Sequence, residues 1–320
     1  MTSRRGAIQA HGRQRSGGRS VNRLLLRNCT MANNPVDFAE TWSRSPQCAM
    51  MDPSQPLDCF TFFDRQGVQE QVYIHTTATW PAREDRRPAL VWLAIFWLFV
   101  GVGFGFDLHN YLREHPPVPK IVHVHAIATT LWLLTATALV LMVETGNVRL
   151  HRRFGWFAAG YAALVVVIAP WSELSWQALN LQTPGALPPE FLSIAFSGVI
   201  CMVVLLTWGV LIRRNSAAHR RVLILATICI SDAGFSRMVG LFLPAPTSFL
   251  GTYLFYEGGN LLLIVLMFLW DWKRNRIMKQ FLWASFLVAA VGLSATGLYF
   301  NETWKSISRL WLEGWARNML

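Results

Sequence analysis

The sequence predicts an all-α fold: a polytopic transmembrane helix bundle of about seven spans with its N-terminus cytoplasmic. Three observations predict it. The 320 residues are 53% hydrophobic and only 15% charged, outside the range of an ordinary soluble domain. Seven apolar segments follow residue 88, each near the ~20 residues that cross ~30 Å of hydrocarbon at 1.5 Å per residue. The lysines and arginines between those segments gather in alternate turns, as the positive-inside rule requires.

Residues 1–30 are rich in Arg, Gly and Ser without apolar periodicity and read as a disordered basic tail. Two readings stay open for them: an Arg-rich, acid-poor transit peptide, or an over-extended start with Met31 or Met50/Met51 the true one. Residues 31–88 form a cytoplasmic N-terminal region, in which Cys59 to Tyr73 suggests one short strand or helix. The bundle occupies 89–300, with spans at 89–108, 121–143, 156–178, 191–212, 222–243, 251–270 and 279–299. Lipid offers the backbone no hydrogen bonds, so each span should be helical. Pro170 should kink the third. Gly101 and Gly105 make a small-xxx-small pair suited to a close helix contact.

The turns after spans two, four and six hold Arg149, Arg152, Arg153, Arg213, Arg214, Arg220, Arg221, Lys273, Arg274, Arg276 and Lys279. Those after spans one, three and five hold only Arg113 and Lys120. The even turns are therefore cytoplasmic, and the C-terminus lies outside. There, residues 301–320 read as an interfacial amphipathic tail, with Trp304, Ile307, Trp311, Trp315 and Met319 on one helical face. The setting is a bacterial inner membrane. Fifteen Trp and twenty Phe suit a chain in contact with the bilayer and its interface.

The net charge of +11 does not indicate nucleic acid. Seven arginines lie in the first 28 residues with no acid among them, and most of the rest lie in short turns, so no folded basic face is available. The basic turns suit anionic lipid headgroups as partners, and a membrane-protein partner is also open. Cys29, Cys48, Cys59, Cys201 and Cys229 show no zinc or C-x-x-C spacing, and Cys201 and Cys229 read as small core residues. There is no HExxH, no GxSxG and no P-loop, so hydrolase and ATPase readings have no starting point.

Ionisable groups within spans are costly and are site candidates for that reason. Span two enters from outside, putting His123 and His125 about 3–6 Å below its outer end at helical rise. Asp232 falls about 15 Å and Arg237 about 22 Å into span five, and Glu257 about 9 Å below the outer end of span six. Glu173 lies near the outer end of span three. These six groups form an intramembrane polar cluster in the outer half, and Thr129, Tyr253 and Asn260 are available to it. Residues i and i+2 differ by about 200° around a helix, so His123 and His125 cannot both ligate one metal from a regular helix. Either imidazole suits a haem or metal ligand; alternatively His125 with Asp232 or Glu257 would pass protons or hold a polar ligand. Asp232 and Arg237 suggest an intramembrane ion pair, directly or across helices. His151 and His219, each heading a His-Arg-Arg triplet, offer a second, inner site.

The blocks Val122–Ala126 (VHVHA), Leu150–Gly155 (LHRRFG) and Ala218–Val222 (AHRRV) resemble a group of uncharacterised bacterial multi-pass membrane proteins with blocks VHxHA, LHRRLG and HKRLM. The resemblance covers about residues 90–300, with Phe154 and Val222 departing from the usual Leu and Leu-Met. The group is distantly similar to cytochrome-oxidase-assembly and b-type-cytochrome-like families. It therefore implies haem or copper, with His123, His125, His151 and His219 as the cofactor-binding candidates. Three functions follow: a redox-associated protein with a haem or metal site near the outer face, a transporter or receptor for a small polar molecule, or an assembly factor without chemistry.

Reporter fusions at residues 147, 214 and 275 are expected to register one side of the membrane, and fusions at 117, 184 and 245 the other.

Overall fold

A computed structural model describes residues 57–63, 69–75, 86–114 and 116–319; the expectations for residues 1–56 lie outside the described residues. The first described elements are strands β1 (Leu57–Phe63) and β2 (Gln69–His75). They pair antiparallel, Leu57 opposite His75 and Phe63 opposite Gln69. The stretch expected to hold one strand or helix is thus a strand pair, and its aromatic and β-branched residues suit a pleated ladder.

From residue 86 the described chain is an all-α bundle: α1 (Arg86–Glu114), α2 (Lys120–Glu144), α3 (Val148–Asn180), α4 (Leu192–Leu211), α5 (Ser216–Ile228), α6 (Asp232–Gly240), α7 (Phe249–Trp272), α8 (Lys279–Tyr299) and α9 (Glu302–Met319). Six of these are long and apolar enough to cross a membrane. Leu98, Ile127, Val167, Leu211, Trp283 and Phe286 are exposed on them, as expected of lipid-facing side chains. Inside, Leu205, Val222, Leu225, Leu263 and Phe281 are fully buried in one cluster, while Trp132, Ala158, Ala162 and Val165 fill a second between α2 and α3. Helix α3 continues through Pro170 to Asn180.

The fifth span departs from expectation. It begins at Ser216, not 222, and is not one helix: α5 and α6 meet at a 44° bend. At the break the hydrogen bonds tighten from four-residue to three-residue spacing, Ile230 N–H to Thr227 and Ser231 N–H to Ile228, and α6 restarts at Asp232. Helix α1 tracks the pair from end to end. Pro88, Ala89 and Trp92 share a cleft with Arg220, Arg221 and Ile224; Phe99 packs on Phe235; Asp107 pairs with Arg237. From residue 88 to residue 107 a helix rises about 28 Å, the thickness of the hydrocarbon. The bent pair thus has the length of one broken span, and the described helices amount to six spans, or up to seven with this pair. The turns 145–147, 212–215 and 273–278 lie together at one end, called the basic end; the turns 116–119, 181–191 and 241–248 lie at the far end.

The glycine contact also falls elsewhere than expected. Gly101 and Gly105 face open space, with nothing within 4 Å of where a Cβ would sit. Gly103, on the opposite side of α1, meets Gly234 of α6 backbone to backbone, so that a Cβ on either would collide with the other helix. Without a hydrophobic force between helices in lipid, such close approach is what holds them.

At the basic end α3 begins after Asn147 and α5 after Asn215. Arginines assigned to turns thus lie on first helical turns. At the far end α9 docks onto the short 3-10 turn Pro189–Phe191 and onto α3. Trp304 Nε1 donates to the Glu190 carbonyl (3.0 Å), Trp315 Nε1 to Ser175 Oγ (3.2 Å), and Leu312 is buried. Ile307 and Trp311 are exposed with Leu310. The single apolar stripe expected for the tail is therefore divided, one part on the protein and one part outward; the side chain of Met319 lies outside the described residues.

Gly103→Leu is expected to lower the thermal midpoint of the detergent-solubilised protein, equivalent to about 1–3 kcal/mol or more of overpacking, whereas Gly101→Leu and Gly105→Leu leave it within a degree or two.

Candidate functional site

The break in the fifth span sets the site. Ser231 precedes Asp232, the first residue of α6, whose Oδ1 accepts the Ala233 N–H at 2.6 Å. The acid thus sits at the positive end of a half-helix, where negative charge is favoured. Its Oδ2 lies 3.5 Å from where a Cβ of Gly198 on α4 would be, so the carboxylate occupies space that a side chain there would fill. One residue earlier on α4, Ser197 Oγ lies 3.4 Å from Glu257 Oε1 of α7. Asp232 and Glu257 therefore lie against the same turn of α4. Glu257 is 5% exposed. Its Oε2 accepts from Asn260 Nδ2 at 2.8 Å, and its carboxyl packs against Gly292 of α8.

Arg237 stands one turn further along α6. The expected pairing with Asp232 is not made. Arg237 Nε instead donates to Asp107 Oδ2 of α1, and Nη1 donates to the Ala233 carbonyl at 2.9 Å. The reason is direction: Asp232 is held by its own helix start, while Arg237, five residues on, points toward α1. The guanidinium also lies over the Phe104 ring, 4.6 Å from its centroid. Its charge acts on His125 of α2, Glu173 of α3, Asp232 and Tyr256 of α7. Arg237 and Asp107 are half exposed, at 40% and 53% of their side chains, while flanked by groups from four other helices. Residue 107 lies about 28 Å along α1 from residue 88, so these charges stand at the far edge of the hydrocarbon, within reach of water and lipid headgroups.

The structure thus brings Asp232 and Glu257 together against α4, with Arg237 further along α6 and near enough to act electrostatically on His125 and Glu173. Glu173 accepts from Gln177 Nε2 at 2.6 Å. His125 Nδ1 lies 3.4 Å from Thr129 Oγ1. His123 departs from the group: it is exposed, its ring edge-on to Tyr111 at 5.8 Å. Among the described residues no three His, Cys, Asp or Glu side chains are placed to hold a metal ion. Tyr253 is directed away, its hydroxyl donating to the Ala289 carbonyl of α8. Ser197, Ser231 and Asp107 were not among the sequence candidates. Only Asp107 carried a signal, an acid near the end of an apolar helix.

At the basic end the two His-Arg-Arg triplets meet. The rings of His151 and His219 are 6.4 Å apart and perpendicular. His151 Nδ1 bonds the Leu139 carbonyl at 3.1 Å and His219 Nδ1 the Gly209 carbonyl at 2.7 Å. A carbonyl only accepts, so each Nδ1 carries a proton and donates it, which leaves Nε2 as the acceptor of the neutral ring. Each histidine ties the start of its helix to the end of the helix before it, one turn after Asn147 or Asn215. The repeated block is therefore Asn-x-x-x-His-Arg-Arg, longer than the tripeptide alone.

Arg221 has a different place from the expected lipid headgroups. It is buried, its Nε 2.6 Å and Nη2 2.8 Å from the two oxygens of Asp271, a bidentate pair with 7% and 6% side-chain exposure. A small cleft lined by Trp92, Arg220, Arg221, Met267 and Asp271 adjoins it, apart from the polar cluster of the far end. The pair clamps α5 to α7 and so sets the register that brings the break level with Glu257.

Compared with protein families, curated proteins and solved structures, the chain has no match.

Arg221→Met is expected to destabilise the protein by about 3–5 kcal/mol, because it removes one partner of a buried bidentate ion pair. The double change Arg221→Met with Asp271→Leu should recover most of that loss in thermal unfolding.

Proposed function

We propose that the protein is a transporter or receptor for a small polar molecule carrying an anionic group, in a bacterial inner membrane with the basic end cytoplasmic. The observation behind this reading is the broken span, which directs Arg237 into a region shared with acids and a histidine from α1, α2, α3 and α7. Irregular backbone at membrane depth is tolerated where it lines a cavity, and broken helices mark the binding sites of many secondary transporters. Arg237, with its fork of donors, is the anion partner. Asp107 holds it in the absence of solute. Glu173 and His125 supply neighbouring polar contacts. The exposed arginines of the basic end meet anionic lipid headgroups, and the outward part of α9 lies at the far interface or on a membrane-protein partner.

A second reading has one observation behind it. A histidine that ligates a metal usually donates its other ring N–H to a carbonyl or carboxylate, and His151 and His219 both do so while their rings face each other. The haem or metal site expected from the sequence then belongs at the basic end, between the two triplets, in keeping with the resemblance to histidine-bearing membrane families. The third possibility, an assembly factor without chemistry, has no observation of this kind in its favour.

Proteoliposomes tested with amino acids, short carboxylates and phosphate esters are expected to accumulate at least one, with Arg237→Gln reducing uptake at least tenfold and Asp107→Asn less. Uptake unaffected by Arg237→Gln would count against the site. A Soret band in the purified protein that is lost in His151→Ala and His219→Ala would establish the second reading instead.

A further inference from the structure

Two buried oxygens at the break are left over once every hydrogen bond there is assigned. Ser231 Oγ is fully buried, and Asn260 belongs to a residue 2% exposed; neither Ser231 Oγ nor Asn260 Oδ1 has a hydrogen-bond partner among the described residues. Asn260 uses its Nδ2 on Glu257, which places Oδ1 beside the same carboxylate. The register of the helices brings Ser231 to that level. Asp271 of α7 sits on Arg221 of α5, and Gly259 lies under Phe235 of α6. Residues advance on one as they recede on the other, so Asn260 is level with the first turn of α6.

We infer that the break holds a monovalent alkali cation between the carboxylates of Asp232 and Glu257, with Ser231 Oγ and Asn260 Oδ1 completing its oxygen set. A polar group left unsatisfied in the interior is costly. A proton bridges only two of these groups, whereas a cation accepts lone pairs from all four. The C-terminal end of α5 also faces the break, and carbonyl-bearing half-helix ends favour cations. Transition metals prefer nitrogen and sulfur ligands, and the site offers oxygen. The Gly198 and Gly292 positions let α4 and α8 close over the acids without side chains intervening.

This deepens the transport reading and rests on it for the cation's role, as the ion that drives or gates solute binding; cation binding itself is tested without any solute. The full chain, purified in detergent and in nanodiscs, is titrated with sodium or potassium chloride against choline chloride at constant ionic strength. A saturable rise in thermal midpoint with an alkali cation and none with choline is expected. Asn260→Ala and Ser231→Ala should each raise the half-saturating concentration at least tenfold while keeping the wild-type midpoint in choline within a few degrees. A flat response of the wild type, or a response that both variants retain, overturns the site. Should the variants fail to fold, equilibrium binding of radiolabelled sodium and potassium to the wild type decides: binding displaced by excess unlabelled cation supports the site, and no displaceable binding overturns it. Uptake of solute without cation dependence would overturn the cation's driving or gating role and leave the transport reading in place. A cation response without uptake supports the site and removes the transport role.

Discussion

Hydrocarbon supplies no hydrogen bonds, and every long helix of this protein obeys that constraint except one. The interruption at residues 229–231 is where a lipid-embedded backbone is least able to satisfy itself. The surrounding structure is arranged so that lipid does not meet it. Helix α1 lies along one side, sealed by the Gly103–Gly234 approach. Helices α4, α7 and α8 cover the rest, with glycines at 198, 259 and 292 where they come nearest. The polar groups of the far end follow from this enclosure. A new helix start at membrane depth gives Asp232 a place, and the following turn carries Arg237 toward Asp107.

Charge compensation differs between the two ends. The Arg221–Asp271 pair is buried, bidentate and close; it joins α5 to α7 as a fixed clamp. The Arg237–Asp107 pair is half exposed and rests on an aromatic ring, and exposed pairs contribute about 0–1 kcal/mol. The same chemistry thus serves as a buried brace at one end and stays open to its surroundings at the other. The histidines divide similarly. His151 and His219 are fixed by carbonyls, while His123 lies exposed beside Tyr111.

Much of this was legible in the sequence, for reasons that are physical. Apolar runs of bilayer length and alternating basic turns are strong signals, so the spans and their antiparallel succession could be read directly. That succession in turn put Asp232 and Glu257 within reach of a common turn of α4, since helical rise converts sequence distance into depth. What could not be read were choices made by packing. Nothing in Cys229-Ile-Ser231 announces a break, because it holds neither proline nor glycine. Which glycine of the three in α1 touches a neighbour depends on the rotation of that helix, and Gly103 faces α6 while the other two face away. Arg237 has two acids within plausible reach, and only the direction of α6 selects Asp107. Arg221 sits in a basic run like its neighbours, and its burial depends on an aspartate fifty residues later.

The account depends most on the far-end charges standing in water that enters from one side. Cysteine accessibility tests this most directly. In a protein whose five native cysteines are replaced, Arg237→Cys and Leu98→Cys are exposed in sealed vesicles to a charged, membrane-impermeant thiol reagent on either side. Rapid labelling at 237 only from the side opposite the basic turns, with none at 98, is the predicted result. Labelling at 237 only by an apolar maleimide, or from the basic side, would contradict it.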